Sequence, residues 1–172
     1  MIYNVYLAAP IVNISEEQKE KIECVESYLN HMDCNGNRCN VYNPSKHSVP
    51  NAWGMNMDEW SKCIFALDVV AMDNADWIVV CDFGRQMTSG TAWEAGYVFG
   101  RGKKILVIRM NNDDDNKNCS TEYSVMMNGC SSNSIDYNYI KSIVYSCDQS
   151  YSFGDVFVER GRIKQNNNVV YN

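Results

Sequence analysis

The sequence predicts an α/β fold, doubly wound, with a mostly parallel sheet and helices on both faces. Three observations carry this. The run Trp77-Ile-Val-Val-Cys81 is apolar at every residue, as a central strand must be when helices cover both of its sides. Behind it, Thr88-Ser-Gly-Thr-Ala-Trp-Glu-Ala-Gly-Tyr97 reads as a glycine turn opening a helix, and Lys103-Lys-Ile-Leu-Val-Ile108 as the next strand. Strand, loop, helix and strand in that order make a parallel crossover. Ahead of both, Ile2-Tyr-Asn-Val-Tyr-Leu7 forms a first strand ended by Ala-Ala-Pro10, and Ser15-Glu-Glu-Gln18 has the form of a capping box, which opens a helix.

The other elements follow in order. Ile22, Val25, Leu29 and Met32 recur at helical spacing and face the sheet. A short strand at Asn40-Val-Tyr42 ends at Asn43-Pro44, and the polar stretch to Asn56 reads as a loop over a pocket. A second helix runs from Met57 to Met72, with Trp60, Ile64, Leu67 and Ala71 at the helical period and Asp68 beside that stripe. The central strand spans Asp76 to Cys81. Residues 111–118, Asn-Asn-Asp-Asp-Asp-Asn-Lys-Asn, have nothing to bury and read as a flexible loop. Their three adjacent carboxylates lack the alternation of a calcium loop. A short helix near Thr121–Met127 and a last strand around Tyr139–Tyr145 complete a flavodoxin-like count of five strands, before an Asn-rich tail at 165–172.

At 172 residues the chain fits a single domain, 1–172, able to bury about two-thirds of its unfolded surface. The net charge of −6 argues against a nucleic-acid partner, whose backbone needs clustered Lys and Arg. No segment approaches the roughly 20 apolar residues of a membrane span, and no leader pattern opens the chain, so the expectation is a soluble, cytoplasmic protein. Of eight cysteines, Cys24, Cys63 and Cys81 fall in apolar patterns, where cysteine is a small hydrophobe. His31, Cys34 and Cys39 match no zinc spacing, so no metal is expected. With only His31 and His47 no Ser-His-Asp set is readable. Gly96, Gly100 and Gly102 follow the helix start instead of preceding it, which removes the dinucleotide fingerprint.

Four residues are candidates for chemistry. Glu94 is read in the first turn of its helix, where unpaired N–H groups and the dipole favour an ionised carboxylate. It is either a helix cap or a nucleophile at the sheet edge where ligands of open α/β sheets bind. Tyr6 closes the first strand at that same edge, in reach of Glu94 or simply packed. Asp68, late in its helix, and Asp76, opening the central strand, are candidate acids, and Asp76 is better explained as a strand start.

Tyr6-Leu-Ala-Ala-Pro10, Glu59-Trp60 ahead of Asp68, Ala75-Asp76, Ser89-Gly-Thr-Ala-Trp-Glu94-Ala-Gly and Ser124-Val-Met126 together resemble the nucleoside 2′-deoxyribosyltransferase family over about the first three-quarters of the chain. The resemblance implies a double displacement at the anomeric carbon of a deoxynucleoside, without metal or organic cofactor. Glu94 takes the nucleophile position, Tyr6 orients it, and Asp68 takes the position that protonates the departing base. Thr88, Ser89, Gly90, Ser124, Met126, Ala8 and His47 take substrate-binding positions. Met126 serves a neighbouring subunit in a homo-oligomer, with a deoxynucleoside or deoxynucleotide and a free nucleobase as partners. Thr88 stands where the transferases usually carry Asp, and Ser124 where they often carry Asn. Similar hydroxyls occur in the related nucleoside 5′-monophosphate N-glycosidases, the first alternative activity; a non-catalytic nucleotide-binding module is the second. Unlike those hydrolases, the loop Ala8-Ala-Pro-Ile-Val-Asn13 lacks Ser and Arg. Arg85 is a candidate substitute anchor, its fork suiting phosphate geometry, set against its reading as a solvated loop arginine. The loop after Pro44 offers Lys46, His47 and Ser48 to a base.

Overall fold

Strand Ile2–Ala8 (β1) pairs on one side with Arg38–Tyr42 (β2) and on the other with Trp77–Asp82 (β3); Lys104–Arg109 (β4) and Asn133–Asp136 (β5) extend the sheet. All four pairings are parallel, in the order β2-β1-β3-β4-β5. This is a computed structural model, described over residues 2–31, 38–111 and 124–146. The order reverses beside β1, the kind of switch point where open α/β sheets form their ligand crevice. The predicted doubly wound fold is present, and its described sheet is parallel throughout.

Side chains alternate across the sheet as the pleat requires. Val5 and Leu7 of β1 join Val79, Leu106 and Ile108 in one core, beneath Val25 and Leu29 of helix Glu16–His31 (α1) and Ile140 of helix Tyr137–Ser146 (α5). Tyr6 and Ala8 join Ile78, Val80 and Val107 in the other core. That side is covered by Met72 of helix Met57–Asn74 (α2), Ala95 and Val98 of helix Ser89–Gly100 (α3) and Met127 of helix Val125–Cys130 (α4). Every residue of β3 is buried, as its uninterrupted apolar run predicts. The capping box of α1 is present: Gln18 N donates to Ser15 Oγ at 3.2 Å, and Ser15 N to Gln18 Oε1 at 2.9 Å.

One expectation about local structure needs correcting. The segment around Tyr139–Tyr145 is helical and lies within α5, and the fifth strand is the preceding Asn133–Asp136. Tyr137 and Ile140 are both buried, and their three-residue spacing turns them to one helix face against α1. The stripe on α2 is covered only in part, with Ala71 packed against the second core. Trp60 and Leu67 are exposed, and Met72 is the one fully buried residue of that helix. Asp76 lies just before β3 and accepts from Asn4 N at 2.8 Å, the structural role expected of a strand start. Met32, Cys34, 112–118 and the tail lie outside the described residues. None of the described helices is long and apolar enough to cross a membrane.

The chain beyond β2 is fixed by a buried acid. Asn43 Nδ2 donates to Glu26 Oε2 at 2.7 Å, and Lys46 Nζ lies 2.8 Å from Glu26 Oε1. Glu26→Ala leaves the buried Asn43 amide without its acceptor. The expected cost is about 1–3 kcal/mol, read by calorimetry as a thermal midpoint lowered by about 3–10 °C.

Candidate functional site

The approach to the site is set by the turn after β3. Asp82 Oδ1 accepts from Gly84 N at 2.8 Å, and Gly84 adopts φ +62°, a left-handed conformation that glycine takes without Cβ strain. The chain then enters α3 with Thr88 as N-cap, its Oγ1 accepting from Thr91 N at 3.3 Å. The helix thus begins at Ser89, and Glu94 sits in its second turn instead of the first. Thr88 supplies the cap, so a capping role does not explain Glu94. One and a half turns of helix carry the carboxylate back over the end of β1.

There it meets Tyr6, fully buried at the end of its strand, whose hydroxyl donates to Glu94 Oε1 at 2.7 Å. Oε2 has no hydrogen-bond partner among the described residues. Asp68 reaches the same cleft from α2, and its Oδ1 accepts from the Tyr42 hydroxyl at 3.0 Å. The cleft measures about 420 Å³, the size of a small-ligand pocket. Gly90, Ile64 and the aromatic rings of Trp60, Phe65 and Trp93 complete most of its wall. Among the described residues that line it there is no Lys or Arg.

Burial governs the electrostatics. Removal from water pushes the Glu94 carboxyl up to about 7 against the Tyr6 hydrogen bond, which favours the ionised form, while Asp68 nearby adds to the rise. Asp68 is also raised by burial, opposed by the Tyr42 hydrogen bond and by His47. Burial likewise pushes the Tyr6 phenol far above its ordinary range, with Glu94 adding to it, so Tyr6 serves only as a donor. The expected dipole-stabilised Glu94 is therefore replaced by a desolvated one. Two carboxyls with proton affinities raised by burial in one cleft are suited to nucleophilic and acid–base work.

The other sequence candidates are spread around the fold. Gly90 lines the cleft. Thr88 and Ser89 form the start of α3, where the Thr88 hydroxyl is engaged with Thr91 N and, at 2.9 Å, Thr91 Oγ1. Ala8 is fully buried, leaving only its backbone for a ligand. His47 stacks on Tyr42 with ring centroids 4.0 Å apart and planes at 4°. Ser124 caps α4 and Met126 on that helix is 81% exposed, away from the cleft of its own chain. Arg85 is exposed. His31 Nδ1 contacts Ser27 O at 2.7 Å, and among the described residues no three His, Cys, Asp or Glu side chains could hold a metal. Sequence reasoning missed Tyr42. Its signal was an aromatic hydroxyl closing β2 opposite Tyr6, near the end of β1.

Comparison with known proteins fits this architecture. The family model described as nucleoside 2-deoxyribosyltransferase matches residues 5–135, which include both carboxylates and both tyrosines. The chain belongs to the nucleoside 2-deoxyribosyltransferase family. Family membership makes it a glycosyl-transferring or N-glycosidase enzyme acting on nucleosides, with nucleosides or nucleotides and nucleobases as small-molecule substrates. The fold is similar to that of a 2-deoxyribosyltransferase from the psychrotolerant bacterium Bacillus psychrosaccharolyticus, with TM-score 0.65, 20% identity, and 92% of this chain and 98% of that one covered. It is also similar to a conserved protein from Enterococcus faecalis V583, with TM-score 0.61, 16% identity, and coverage of 86% and 100%. A CMP N-glycosidase from Clostridium botulinum aligns with TM-score 0.50, 23% identity, and coverage of 84% and 98%. None of the curated proteins compared matches the chain. At these identities the structural neighbours carry the family's fold, and the choice between transfer and hydrolysis rests on the site.

Proposed function

We propose that the protein is a nucleoside 2′-deoxyribosyltransferase that exchanges nucleobases through a covalent deoxyribosyl–Glu94 intermediate. The carrying observation is the Tyr6-held, desolvated Glu94 in one cleft with Asp68. In the first half-reaction Glu94 Oε2 attacks C1′, the N-glycosidic bond breaks, and its electron pair leaves with the base as Asp68 delivers a proton to it. In the second, a nitrogen of the incoming base attacks C1′, the ester bond breaks, and Asp68 takes up the proton. Two displacements give net retention. The aromatic walls of Trp60 and Trp93 suit stacking of a planar base.

The absence of Lys and Arg from the described cleft wall, beside two acids, favours an uncharged nucleoside over a 5′-monophosphate. The use of the Thr88 hydroxyl within its own helix start gives that residue a structural reason independent of phosphate. The exposed Met126, together with the exposed rings of Phe65 and Trp93 on α2 and α3, supports assembly into a homo-oligomer in which Met126 reaches a neighbour's sugar pocket.

Incubating the protein with a deoxynucleoside and a different free base, and separately with a deoxynucleoside 5′-monophosphate alone, tests the reading. Base exchange without net sugar release is expected. Release of base and deoxyribose 5-phosphate establishes the hydrolase instead, and nucleoside binding without turnover of either substrate establishes a binding module. Tyr6→Phe is expected to lower kcat by about 10- to 100-fold, the value of one hydrogen bond to a charged group. Because that bond favours ionised Glu94, its removal moves the acid limb of the pH–rate profile to higher pH.

A further inference from the structure

The register of β1 and β2 sets Tyr6 directly opposite Tyr42. Their rings stack at 5.6 Å with planes at 15°, and the Tyr42 ring also stacks on His47. The arrangement is doubled: each tyrosine lies near the carboxyl end of its strand, and each donates its hydroxyl to one of the two cleft carboxylates, Tyr6 to Glu94 and Tyr42 to Asp68. Asp68 comes from a helix whose only fully buried side chain is Met72, and Tyr42 is its one hydrogen-bond partner among the described residues. Tyr42 itself is held in a row of three rings, and its phenol is pushed up to about 12 by burial and by Asp68, so it keeps its proton across the working pH range.

From this geometry we infer that Tyr42 is the positioning residue of Asp68, fixing the carboxyl through Oδ1 so that Oδ2 faces the nucleobase. The inference rests on the proposed transfer reaction, in which Asp68 exchanges a proton with the base. A hydrogen bond donated to Asp68 favours its ionised form. It therefore eases proton delivery to the departing base and stabilises the carboxylate that the first half-reaction leaves. The charged and titratable groups around Asp68 are Tyr42 from β2, His47 from the loop after it, Glu94 from α3 and Tyr6 from β1.

Tyr42→Phe keeps the ring stack and removes only the donor. With natural nucleobases as leaving groups, kcat should fall about tenfold, with KM changed less than twofold. The basic limb of the kcat profile should move to higher pH, because Asp68 binds its proton more tightly. With a 2′-deoxyribosyl donor whose leaving group is p-nitrophenolate, which departs without a proton, the loss should shrink to under twofold. In the Tyr42→Phe/Asp68→Asn double variant, natural-donor activity should equal that of Asp68→Asn alone, since Tyr42 acts through Asp68. An equal loss with both donors, or losses that multiply in the double variant, assigns Tyr42 a general structural role and overturns the inference. Full natural-donor activity in Tyr42→Phe beside a crippled Asp68→Asn also overturns it, and leaves the acid–base assignment standing. Full activity in Asp68→Asn overturns that assignment instead.

Discussion

Glu94→Gln should abolish base exchange while making the protein more stable at alkaline pH. The activity loss follows from the chemistry. An amide oxygen cannot form the glycosyl ester, and removing a covalent nucleophile typically costs about 10⁴-fold or more in kcat. The stability gain follows from burial, which raises Glu94 from an ordinary 4.5 to about 7. The unfolded chain releases that proton first, so stability falls as pH rises between these two values and the full cost persists above 7. At about 1.4 kcal/mol per tenfold change in proton affinity, the cost approaches about 3 kcal/mol. Glutamine keeps an acceptor for Tyr6 and carries no charge. By calorimetry its midpoint should exceed the wild type by about 5–10 °C at pH 8, with the difference vanishing near pH 4. In the proposed mechanism the same proton governs wild-type turnover: the attack on C1′ needs ionised Glu94, so donor cleavage should decline as pH falls below about 7. Gain in stability with loss of function is the signature expected of a nucleophile whose burial costs folding energy.

Asp68→Asn should lower kcat by about 10²- to 10⁴-fold, the usual worth of positioned acid–base catalysis. Asparagine can still hydrogen-bond a base but cannot give it a proton, so KM should change little. The loss should depend on the leaving base. Across a series of deoxynucleoside donors, log kcat should fall more steeply with the basicity of the departing nitrogen in the variant than in the wild type. A uniform loss across the series assigns Asp68 to binding instead of proton transfer.

The sequence revealed the parts of this molecule whose cause is local. β3 is apolar from Trp77 to Cys81 because both of its faces are covered, and the Ser15–Gln18 box caps α1 with side chains three residues apart. Tyr6 and Glu94 were legible as a pair because both fall at the ligand edge of a parallel sheet. Glu94 was misplaced by a turn because Gly90 drew attention from Thr88, whose hydroxyl makes the cap. Tyr42 went unread because its partner, 26 residues away on α2, is supplied by tertiary packing, which strand spacing does not encode. The α2 stripe shows the limit of periodicity, which tells which residues share a face and not what covers that face. The stretch from Tyr139 to Tyr145 is rich in aromatic and β-branched residues and imitates a strand, while the burial of Tyr137 and Ile140 follows the helical period.

Incubation with a 2′-deoxy-2′-fluoro nucleoside is the most direct test of the central claim, because fluorine destabilises the positive charge that develops at C1′ and slows breakdown of the ester. Proteolysis and mass spectrometry should locate one fluorinated pentosyl adduct on Glu94, absent from Glu94→Gln and discharged by adding an acceptor base. An adduct on any other residue, or turnover of the natural donor by Glu94→Gln at the wild-type rate, would contradict the account.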